Sequence, residues 1–266
     1  MTSVNRIVCV SNRLPITVIE EPDRIDLQPS SGGLVTAMAP VLRKCRGVWI
    51  GWPGEIKSEE RVIRKALSEF SSRSEFDLIP VLLDKNAIEK FYYGFSNQVI
   101  WPLFHELQSR CNFEPEFWST YLEVQQVFCD EVVKHIRPGD LIWIHDYHLM
   151  GVARLLRERN VINTICFFLH TPFPGYNIFS KLPSRSDVID SLINCNLIGF
   201  QTDKDLTHFA DAVESLLEVK CDKTSSGVTV VNLEQQECKL GSFPVSIDFA
   251  EFDDMARLPE VEANAQ

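Results

Sequence analysis

Two apolar runs that end abruptly in titratable residues constrain the fold of this chain most strongly. The first run ends at His145 and Asp146, in WIHDYHLM, and the second ends at His170, in FFLHTPFP. The amphipathic segment 148–159 between them predicts a crossover helix, so the strands should be parallel neighbours in a β-α-β unit. Open α/β sheets bind ligands beyond the carboxyl ends of such strands. We therefore expect these residues, together with His148, to face one crevice.

Two other interpretations of these residues remain open. Each of them alone is about as consistent with capping a helix or closing a turn. The HDYH segment 145–148 and His170 also offer nitrogen and oxygen ligands for a metal ion. Side chains that leave a strand end need not converge, however, and no cysteine pair lies nearby. We expect no metal cofactor.

Short apolar strands alternate with helical stretches along most of the 266 residues. This pattern predicts an α/β fold with a Rossmann-like, doubly wound parallel sheet. Strands are expected near 7–10, 48–51, 76–83, 141–144, 165–169 and 197–200. Helices are expected near 34–45, 59–70, 86–95, 115–136, 148–159 and 204–218. Beyond residue 219 the segment 221–227 is polar, the segment 227–243 predicts a β-hairpin, and the segment 259–266 is acidic and predicts no regular structure.

Composition narrows the classes of partner and compartment. The formal net charge is −11 and the sequence pI is about 5.1, which argues against nucleic acid or an anionic membrane as the main partner. The chain contains no long apolar run and no signal-peptide pattern. Its eight cysteines are scattered without a CxxC pair, which is typical of reduced thiols. We expect a cytoplasmic location.

A cation and a glycine pair follow the first predicted strand. Arg13 lies just past the strand's carboxyl end, and its forked guanidinium suits a phosphate group. Gly32 and Gly33, in SSGGL, open the first predicted helix, where backbone N–H groups can approach a phosphate or a sugar closely. A simple helix-entry turn would use the same glycine pair.

Aromatic residues are a second feature that suggests a sugar-binding site. Trp49 and Trp52 lie in VWIGWPG, and Tyr92 and Trp101 lie in FYYGFSNQVIWPLFH. Sugar rings stack on such side chains, while tyrosine hydroxyls and indole N–H groups bond sugar oxygens. We expect Trp49, inside an apolar strand, to fill the core, and Trp52, between two glycines after the strand, to face a ligand.

Seven motifs, in this order and spacing, resemble the N-terminal half of the trehalose-6-phosphate synthases, a family of retaining glycosyltransferases with the GT-B architecture. The motifs are SNRLP, SSGGL, IGWPG, YYGFSNQVIWPLFH, WIHDYHLM, FFLHTPFP and LIGFQT. The resemblance implies a Rossmann-like, acceptor-binding domain of the GT-B fold at 1–252 and an acidic tail or interdomain linker at 253–266. It also implies that the C-terminal, donor-binding domain is absent from this chain.

The resemblance implies transfer of glucose from UDP-glucose to glucose 6-phosphate, which gives trehalose 6-phosphate and UDP without a metal or other cofactor. Carried over motif by motif, it places Arg13 and Tyr92 at the acceptor phosphate. It places Trp52 and Trp101 around the acceptor sugar. Asp146 would bind that sugar near the reacting centre.

The resemblance also implies a set of donor contacts. Gly32 and Gly33 would touch UDP-glucose through their backbone, and His170 would lie near the donor glucose. Thr171, with Trp101, would select the α anomer of the acceptor. His170 is therefore expected to act with Asp146 at the reacting centre by positioning and stabilising, and no protein nucleophile is expected.

The chain departs from the family pattern in several segments. It contains no RLDYxKG-like segment, which binds the donor pyrophosphate in the family, and it carries unusual sequences at 175–177 and 242–248. A missing C-terminal domain or a partner subunit would have to complete the donor site. Two alternatives remain: a non-catalytic, sugar-phosphate-binding regulatory subunit, and a synthase that uses another polyol-phosphate acceptor.

Overall fold

Parallel strands form the centre of the fold. The computed structural model describes residues 6–21, 24–224, 228–233, 236–246 and 249–258. Its strands are β1 (Ile7–Arg13), β2 (Ile16–Glu21), β3 (Arg24–Pro29), β4 (Val48–Trp52), β5 (Asp77–Pro80), β6 (Leu141–His145), β7 (Thr164–Leu169), β8 (Leu197–Phe200), β9 (Cys221–Lys223), β10 (Thr229–Asn232) and β11 (Glu237–Ser242). Within the described residues, β2 and β3 form a separate hairpin and the others form one sheet in the order β5-β4-β1-β6-β7-β8-β11-β10-β9.

The strand order creates a switch point between β1 and β6. From β1 the chain adds β4 and β5 on one side, and then returns to add β6, β7 and β8 on the other. These strands are parallel, and Val10 of β1 pairs with Ile50 of β4 and with Ile144 of β6. The register therefore brings the segments that follow β1 and β6 to the same edge of the sheet, where doubly wound folds bind ligands.

Helices cover both faces of the sheet. They are α1 (Gly33–Cys45), α2 (Glu60–Ser74), α3 (Lys85–Ala87), α4 (Trp101–Phe104), α5 (Pro115–His135), α6 (Val152–Glu158), α7 (Tyr176–Phe179), α8 (Arg185–Leu192), α9 (Asp203–Leu217) and α10 (Phe249–Ala256). A π-helix, Ile88–Ile100, joins α3 to α4, and short 3₁₀ turns lie at Gln108–Arg110 and Tyr147–Leu149. No helix of the described segments combines the length and the apolar character that crossing a bilayer requires.

The two faces of the sheet are packed by different elements. Val8, Val10 and their counterparts on neighbouring strands pack under α5, α6, α8 and α9, in a large apolar cluster. Residues of the opposite parity, such as Cys9 and Trp49, pack under α1, α2 and the β2–β3 hairpin. This alternation follows from the two-residue period of a strand, because both faces of a parallel sheet must be covered.

The predicted α/β class and the doubly wound parallel sheet are confirmed, and so is the predicted hairpin, which β10 and β11 form. The β2–β3 hairpin was not predicted. The predicted strand 76–83 is shorter, and the predicted helix 148–159 begins as a 3₁₀ turn before α6. The polar segment 221–227 begins with β9, which pairs with β10. The segment 259–266, predicted to lack regular structure, lies outside the described residues.

Candidate functional site

A cavity of about 530 Å³ lies at the carboxyl edge of the sheet, between the segments that follow β1 and β6. It brings together five of the predicted site residues, namely Arg13, Gly32, Tyr92, Asp146 and His170, together with His145 and His148. Ser11, Asn12, Leu14, Ile16, Ser30, Leu34, Val35, Trp49 and Tyr147 complete its lining. The crevice that the sequence predicts at this edge is therefore present.

Arg13 presents an unpaired cation to the cavity. Its guanidinium carbon lies 4.5 Å from the centroid of the Trp52 ring, so the aromatic face holds the planar group. Within the described part of the chain, the Arg13 side chain makes no hydrogen bond or ion pair. Gly54 has φ +106°, and a Cβ there would lie 3.0 Å from Arg13 Nη2. The arginine is thus held in place by stacking, while its N–H donors remain available to a ligand.

Asp146 presents a carboxylate to the same cavity from a strained backbone. Its φ is +70°, in a region that non-glycine residues rarely occupy. The Asp146 N–H donates to the Phe168 carbonyl at 2.8 Å, and Oδ1 accepts from the His170 N–H at 3.2 Å and from Thr171 Oγ1 at 3.4 Å. These bonds orient the carboxyl group through one oxygen and leave the other for a ligand.

Helix α5 fixes the turn that follows Asp146. Tyr121 Oη donates to the Tyr147 carbonyl at 3.1 Å and accepts from the Met150 N–H at 3.0 Å. Gln125 bonds the same turn through the His148 carbonyl at 2.9 Å and the Gly151 N–H at 3.1 Å. Buried side chains of one helix therefore satisfy the backbone of the turn, which offsets the strain at its first residue.

Burial keeps the histidines of the cavity neutral. It lowers the pKa of His145 to about 3, with a further lowering by the His170 ring. It lowers the pKa of His148 to about 4, against the opposing influence of the Asp146 carboxylate. The pKa of His170 is also lowered, again chiefly by burial. At neutral pH these rings offer hydrogen bonds to a ligand without adding positive charge.

The loop after β7 is anchored by helix α9. The buried Asp205 accepts from the Phe173 N–H at 3.0 Å, and the Nδ1 atom of His208 lies 2.9 Å from the Phe173 carbonyl oxygen. Thr171 lies at the start of this loop, beside Asp146. The loop that carries His170 and Thr171 is therefore tied to a helix at one end and to Asp146 at the other.

The structure corrects the expected placement of Trp52, and it places Trp101 outside the cavity. Trp52 was expected to face a ligand, but it lies within β4, is 2% exposed and packs edge-on against Tyr92 at 5.5 Å. It supports the side chains that line the cavity instead of lining it. Trp101 is 40% exposed and stacks on His105 at 4.3 Å. Trp49 is buried, as expected, and its indole Nε1–H donates to Ser11 Oγ at 2.7 Å.

The glycine pair divides between two positions. Gly32 lines the cavity and lies directly before α1, whereas Gly33 is the first residue of that helix. A Cβ at Gly33 would meet nothing within 4 Å, and one at Gly32 would make an ordinary contact with Val35. Packing within the described residues does not demand either glycine. The open space beside them can accommodate the close approach of a ligand.

Sequence reasoning missed Asn12 as a candidate site residue. Its Oδ1 atom is buried in the lining of the cavity and has no hydrogen-bond partner within the described residues. The position directly before Arg13, at the end of an apolar run, was the available signal. A buried, unpaired amide oxygen at a ligand site is the kind of group that a bound hydroxyl satisfies.

A second, larger cavity of about 610 Å³ adjoins the first and shares His145 and His170 with it. Apolar side chains of α1, β6, β7 and β8 form most of its wall. Polar groups that suit catalysis are concentrated in the smaller cavity. In the portion of the chain that the structure describes, no three histidine, cysteine or carboxylate side chains are grouped as a metal ion would require.

Comparisons with known proteins show which family the chain resembles. The model of glycosyltransferase family 20 matches residues 5–266. The chain is 36% identical over 271 residues to the α,α-trehalose-phosphate synthase (UDP-forming) of Pichia angusta, covering 97% of this chain and 54% of that protein. It is also 36% identical to the 56 kDa subunit of the α,α-trehalose-phosphate synthase (UDP-forming) of Saccharomyces cerevisiae, over all of this chain and 53% of that protein.

Solved structures of similar proteins share the fold. One is an α,α-trehalose-phosphate synthase (UDP-forming) from Burkholderia xenovorans in complex with glucose-6-phosphate, with a TM-score of 0.77, 27% identity, and coverage of 97% of this chain and 55% of that one. Another is an E. coli protein described as trehalose-6-phosphate bound with UDP-2-fluoro glucose, with a TM-score of 0.77, 30% identity, and coverage of 98% and 53%. The chain spans about half the length of the relatives it matches.

Proposed function

Because this chain belongs to glycosyltransferase family 20, we propose that its carboxyl-edge cavity is the acceptor site of an α,α-trehalose-phosphate synthase. In this reaction the glucosyl group of UDP-glucose passes to glucose 6-phosphate, and the products are trehalose 6-phosphate and UDP. The names of the curated relatives support the activity. The relative in complex with glucose-6-phosphate supports the acceptor.

One observation carries the proposal: an unpaired arginine and an oriented carboxylate line the same cavity. Arg13 has no ion pair within the described residues, so it suits the acceptor phosphate, and Tyr92 lies beside it. Asp146 suits the hydroxyl groups of the acceptor sugar near the reacting carbon, where a carboxylate also stabilises positive charge that develops in glycosyl transfer. A neutral sugar would need the carboxylate but not the arginine.

In this proposal Trp52 and Trp101 act without lining the cavity. Trp52 acts from beneath Arg13 and Tyr92, because it is buried behind them. Trp101 would reach the acceptor sugar only when ligands or further protein close the site, since it lies outside the cavity here. We propose that Thr171 selects the α anomer together with Trp101, and its hydrogen bond to Asp146 supports this role.

On the donor side, we propose contacts from Gly32, Gly33 and His170. Gly32 and Gly33 would approach UDP-glucose through backbone groups at the start of α1, and the neutral His170 would bond an oxygen of the donor. The donor phosphate serves as the base in same-face attack, so no protein nucleophile and no metal ion are invoked. A C-terminal domain or a partner subunit would supply the positive charge that stabilises the departing diphosphate.

The compartment is part of the same proposal. All eight cysteines are free thiols. Burial raises the pKa of the Cys166 thiol to about 11 and that of the Cys238 thiol to about 12, which makes both unreactive at neutral pH. Free thiols suit a reducing compartment, and we propose the cytoplasm.

The test is a UDP-release assay with UDP-glucose and glucose 6-phosphate. The chain is assayed alone and with the C-terminal domain of a family member added in trans, and the Asp146→Asn variant is the matched control. Turnover that depends on Asp146 in either mixture supports the proposal. Glucose 6-phosphate binding without turnover in either mixture would favour a regulatory sugar-phosphate-binding subunit. Turnover with a different polyol phosphate alone would replace the proposed acceptor.

A further inference from the structure

The rings of two histidines at the carboxyl edge are bonded to each other and, within the described residues, to no other side chain. His145 Nδ1 lies 3.1 Å from His170 Nε2. His145, at the end of β6, is 2% exposed, and both residues line the cavity. The contact joins ring nitrogens across neighbouring parallel strands. One nitrogen must donate and the other must accept, because both rings are neutral.

Two arrangements of the protons satisfy this bond. In the first, His145 carries its proton on Nδ1 and donates to His170 Nε2, so that His170 carries its own proton on Nδ1. In the second, His170 donates from Nε2, and His145 must then carry its proton on Nε2. The arrangements differ in the chemistry that His170 offers the cavity: an N–H donor in the first and a lone pair in the second.

The surroundings of His145 Nε2 distinguish the two arrangements. This atom is fully buried and has no hydrogen-bond partner within the described residues. The second arrangement would therefore bury an unpaired N–H donor, and orphaned donors are rarer in proteins than acceptors with an unused lone pair. Moreover, the neighbouring ring of Trp143 is tilted by only 32° to that of His145, at 5.1 Å, so it does not meet an Nε2 proton face-on.

We propose that His145 is a positioning residue that donates its Nδ1–H to His170 and thereby fixes His170 in its Nδ1–H form. Because His145 occupies Nε2 of His170, the Nδ1–H is the ring donor left for a ligand. It suits an oxygen acceptor, either a hydroxyl or a phosphate oxygen. The identification of that ligand as a nucleotide sugar rests on the proposed function; the proton arrangement does not.

This assignment explains why the strand ends in histidine at position 145. A residue that only filled the space would be better apolar, since burial without full bonding costs stability. A charged group at this position would repel or attract the ligand, whereas a neutral ring orients its neighbour without changing the charge of the cavity. His145 therefore determines whether the His170 ring offers the ligand an N–H donor or a lone pair.

Nuclear magnetic resonance of this chain, labelled with ¹⁵N in its histidine rings, tests the proton arrangement without any ligand. The six histidines give separate patterns, in which protonated and unprotonated ring nitrogens differ widely in chemical shift. His105 and His208 are internal references, because their Nδ1 atoms face carbonyl oxygens at 2.7 and 2.9 Å. A carbonyl can only accept, so Nδ1 carries a proton in both references.

The proposal predicts that His145 and His170 both show the Nδ1–H pattern of these references. In His145→Phe, which keeps a ring but loses the donor, His170 should shift towards the Nε2–H form. In His145→Asn, whose amide N–H lies where Nδ1–H was, His170 should retain the Nδ1–H form. Finding His170 in the Nε2–H form in the unsubstituted chain would overturn the proposal. So would an unchanged His170 pattern in His145→Phe; if that variant does not fold, the unsubstituted chain and His145→Asn decide.

Discussion

The two edges of the sheet carry the same pair of residue types and use them differently. Arg6 and Asp140 precede β1 and β6, and Arg13 and Asp146 lie at or just beyond the other ends of these strands. At the amino edge, Arg6 Nε and Nη2 donate to the two carboxyl oxygens of Asp140 at 3.1 and 2.7 Å. At the carboxyl edge, Arg13 has no ion pair within the described residues, and Asp146 bonds neighbours through one oxygen.

This difference distinguishes an ion pair that stabilises the fold from two charged groups that remain free to bind a ligand. Asp140 is 4% exposed, and it also accepts from the Arg137 N–H at 2.7 Å, so its bonding capacity is used within the fold. Arg13 and Asp146 line a cavity and retain unused capacity. An unpaired cation and a carboxylate with a free oxygen can both bond a ligand in the same cavity, so this pair suits binding and the amino-edge pair suits folding.

The largest expected effect follows from removing one partner of the Arg6–Asp140 ion pair at the amino edge. Asp140→Ala leaves the largely buried Arg6 guanidinium without its partner and should lower the free energy of unfolding by about 3–5 kcal/mol. The control is Asp146→Asn at the carboxyl edge, which should lower it by about 1 kcal/mol or less. Urea denaturation measures both. Equal losses in the two variants would remove the distinction between the edges.

The second prediction concerns the contribution of Arg13, at the carboxyl edge, to ligand binding. Arg13→Ala removes a charge-assisted contact and should weaken glucose 6-phosphate binding by about 1.5–3 kcal/mol, roughly 10- to 150-fold. Its unfolding free energy should fall by only about 0.5–1 kcal/mol, because the side chain loses its stacking on Trp52 but makes no ion pair in the described structure. Isothermal titration calorimetry measures affinity. Arg43→Ala, an exposed arginine at the amino edge, is the control and should leave affinity unchanged.

The third prediction concerns the loss of folding stability at acidic pH. The folded-state pKa values of His145 and His148 are lowered to about 3 and about 4 by burial, so both rings stay neutral in the folded chain at pH 5. The unfolded chain, with ordinary histidine pKa values near 6.5, takes up protons below that pH. Stability is therefore present above about pH 6.5 and is lost as the pH falls towards 4.

Between pH 7 and pH 5 we expect a loss of about 2 kcal/mol for each of the two histidines. Urea denaturation at both pH values measures it. His145→Phe and His148→Phe should each remove one histidine's share of the loss. If both variants lose as much stability on acidification as the unsubstituted chain, then burial does not hold these rings neutral.

The smallest expected effect concerns two glycines. It distinguishes the cost of backbone strain from the effect of a contact with Arg13. Gly54, beside Arg13, and Gly139, at the amino edge, both have positive φ, at +106° and +86°. Alanine at either position should cost about 1–2 kcal/mol of unfolding free energy. Only Gly54→Ala should also weaken glucose 6-phosphate binding, because its Cβ would press on Arg13, whereas a Cβ at Gly139 would meet nothing within 4 Å. Calorimetry that showed equal affinities in the two variants would contradict the contact.

Sequence patterns predicted most of the sheet because buried parallel strands are continuous apolar runs. The β2–β3 hairpin escaped, since Ile16–Glu21 and Arg24–Pro29 are short, largely exposed strands whose apolar residues serve only one face. The π-helix Ile88–Ile100 also escaped. Apolar periodicity predicted an ordinary helix there, and the choice of hydrogen-bond partner depends on tertiary packing that a local pattern does not record.

The site was predictable where residues lie at the carboxyl ends of strands, as with Asp146, directly after β6, and Arg13, which was expected just past β1 and is its last residue. It was not predictable where the end of a strand was uncertain. β4 extends to Trp52, one residue beyond the predicted end, so Trp52 lies within the strand and is buried behind Arg13. A shift of one residue moves a side chain to the other face of a strand. The bond between His145 and His170 joins different strands, and only the register of the sheet reveals it.

Amide chemical-shift mapping by nuclear magnetic resonance tests the central contrast between the two edges most directly. Glucose 6-phosphate is titrated into the ¹⁵N-labelled chain, and the perturbed backbone amides are located on the structure. We expect them to cluster at 11–14, 145–148 and 170–171, around the carboxyl-edge cavity. Perturbations that cluster instead around Arg43, Arg46 and Arg137 would place the phosphate at the amino edge, and the carboxyl-edge cavity would then not be the binding site.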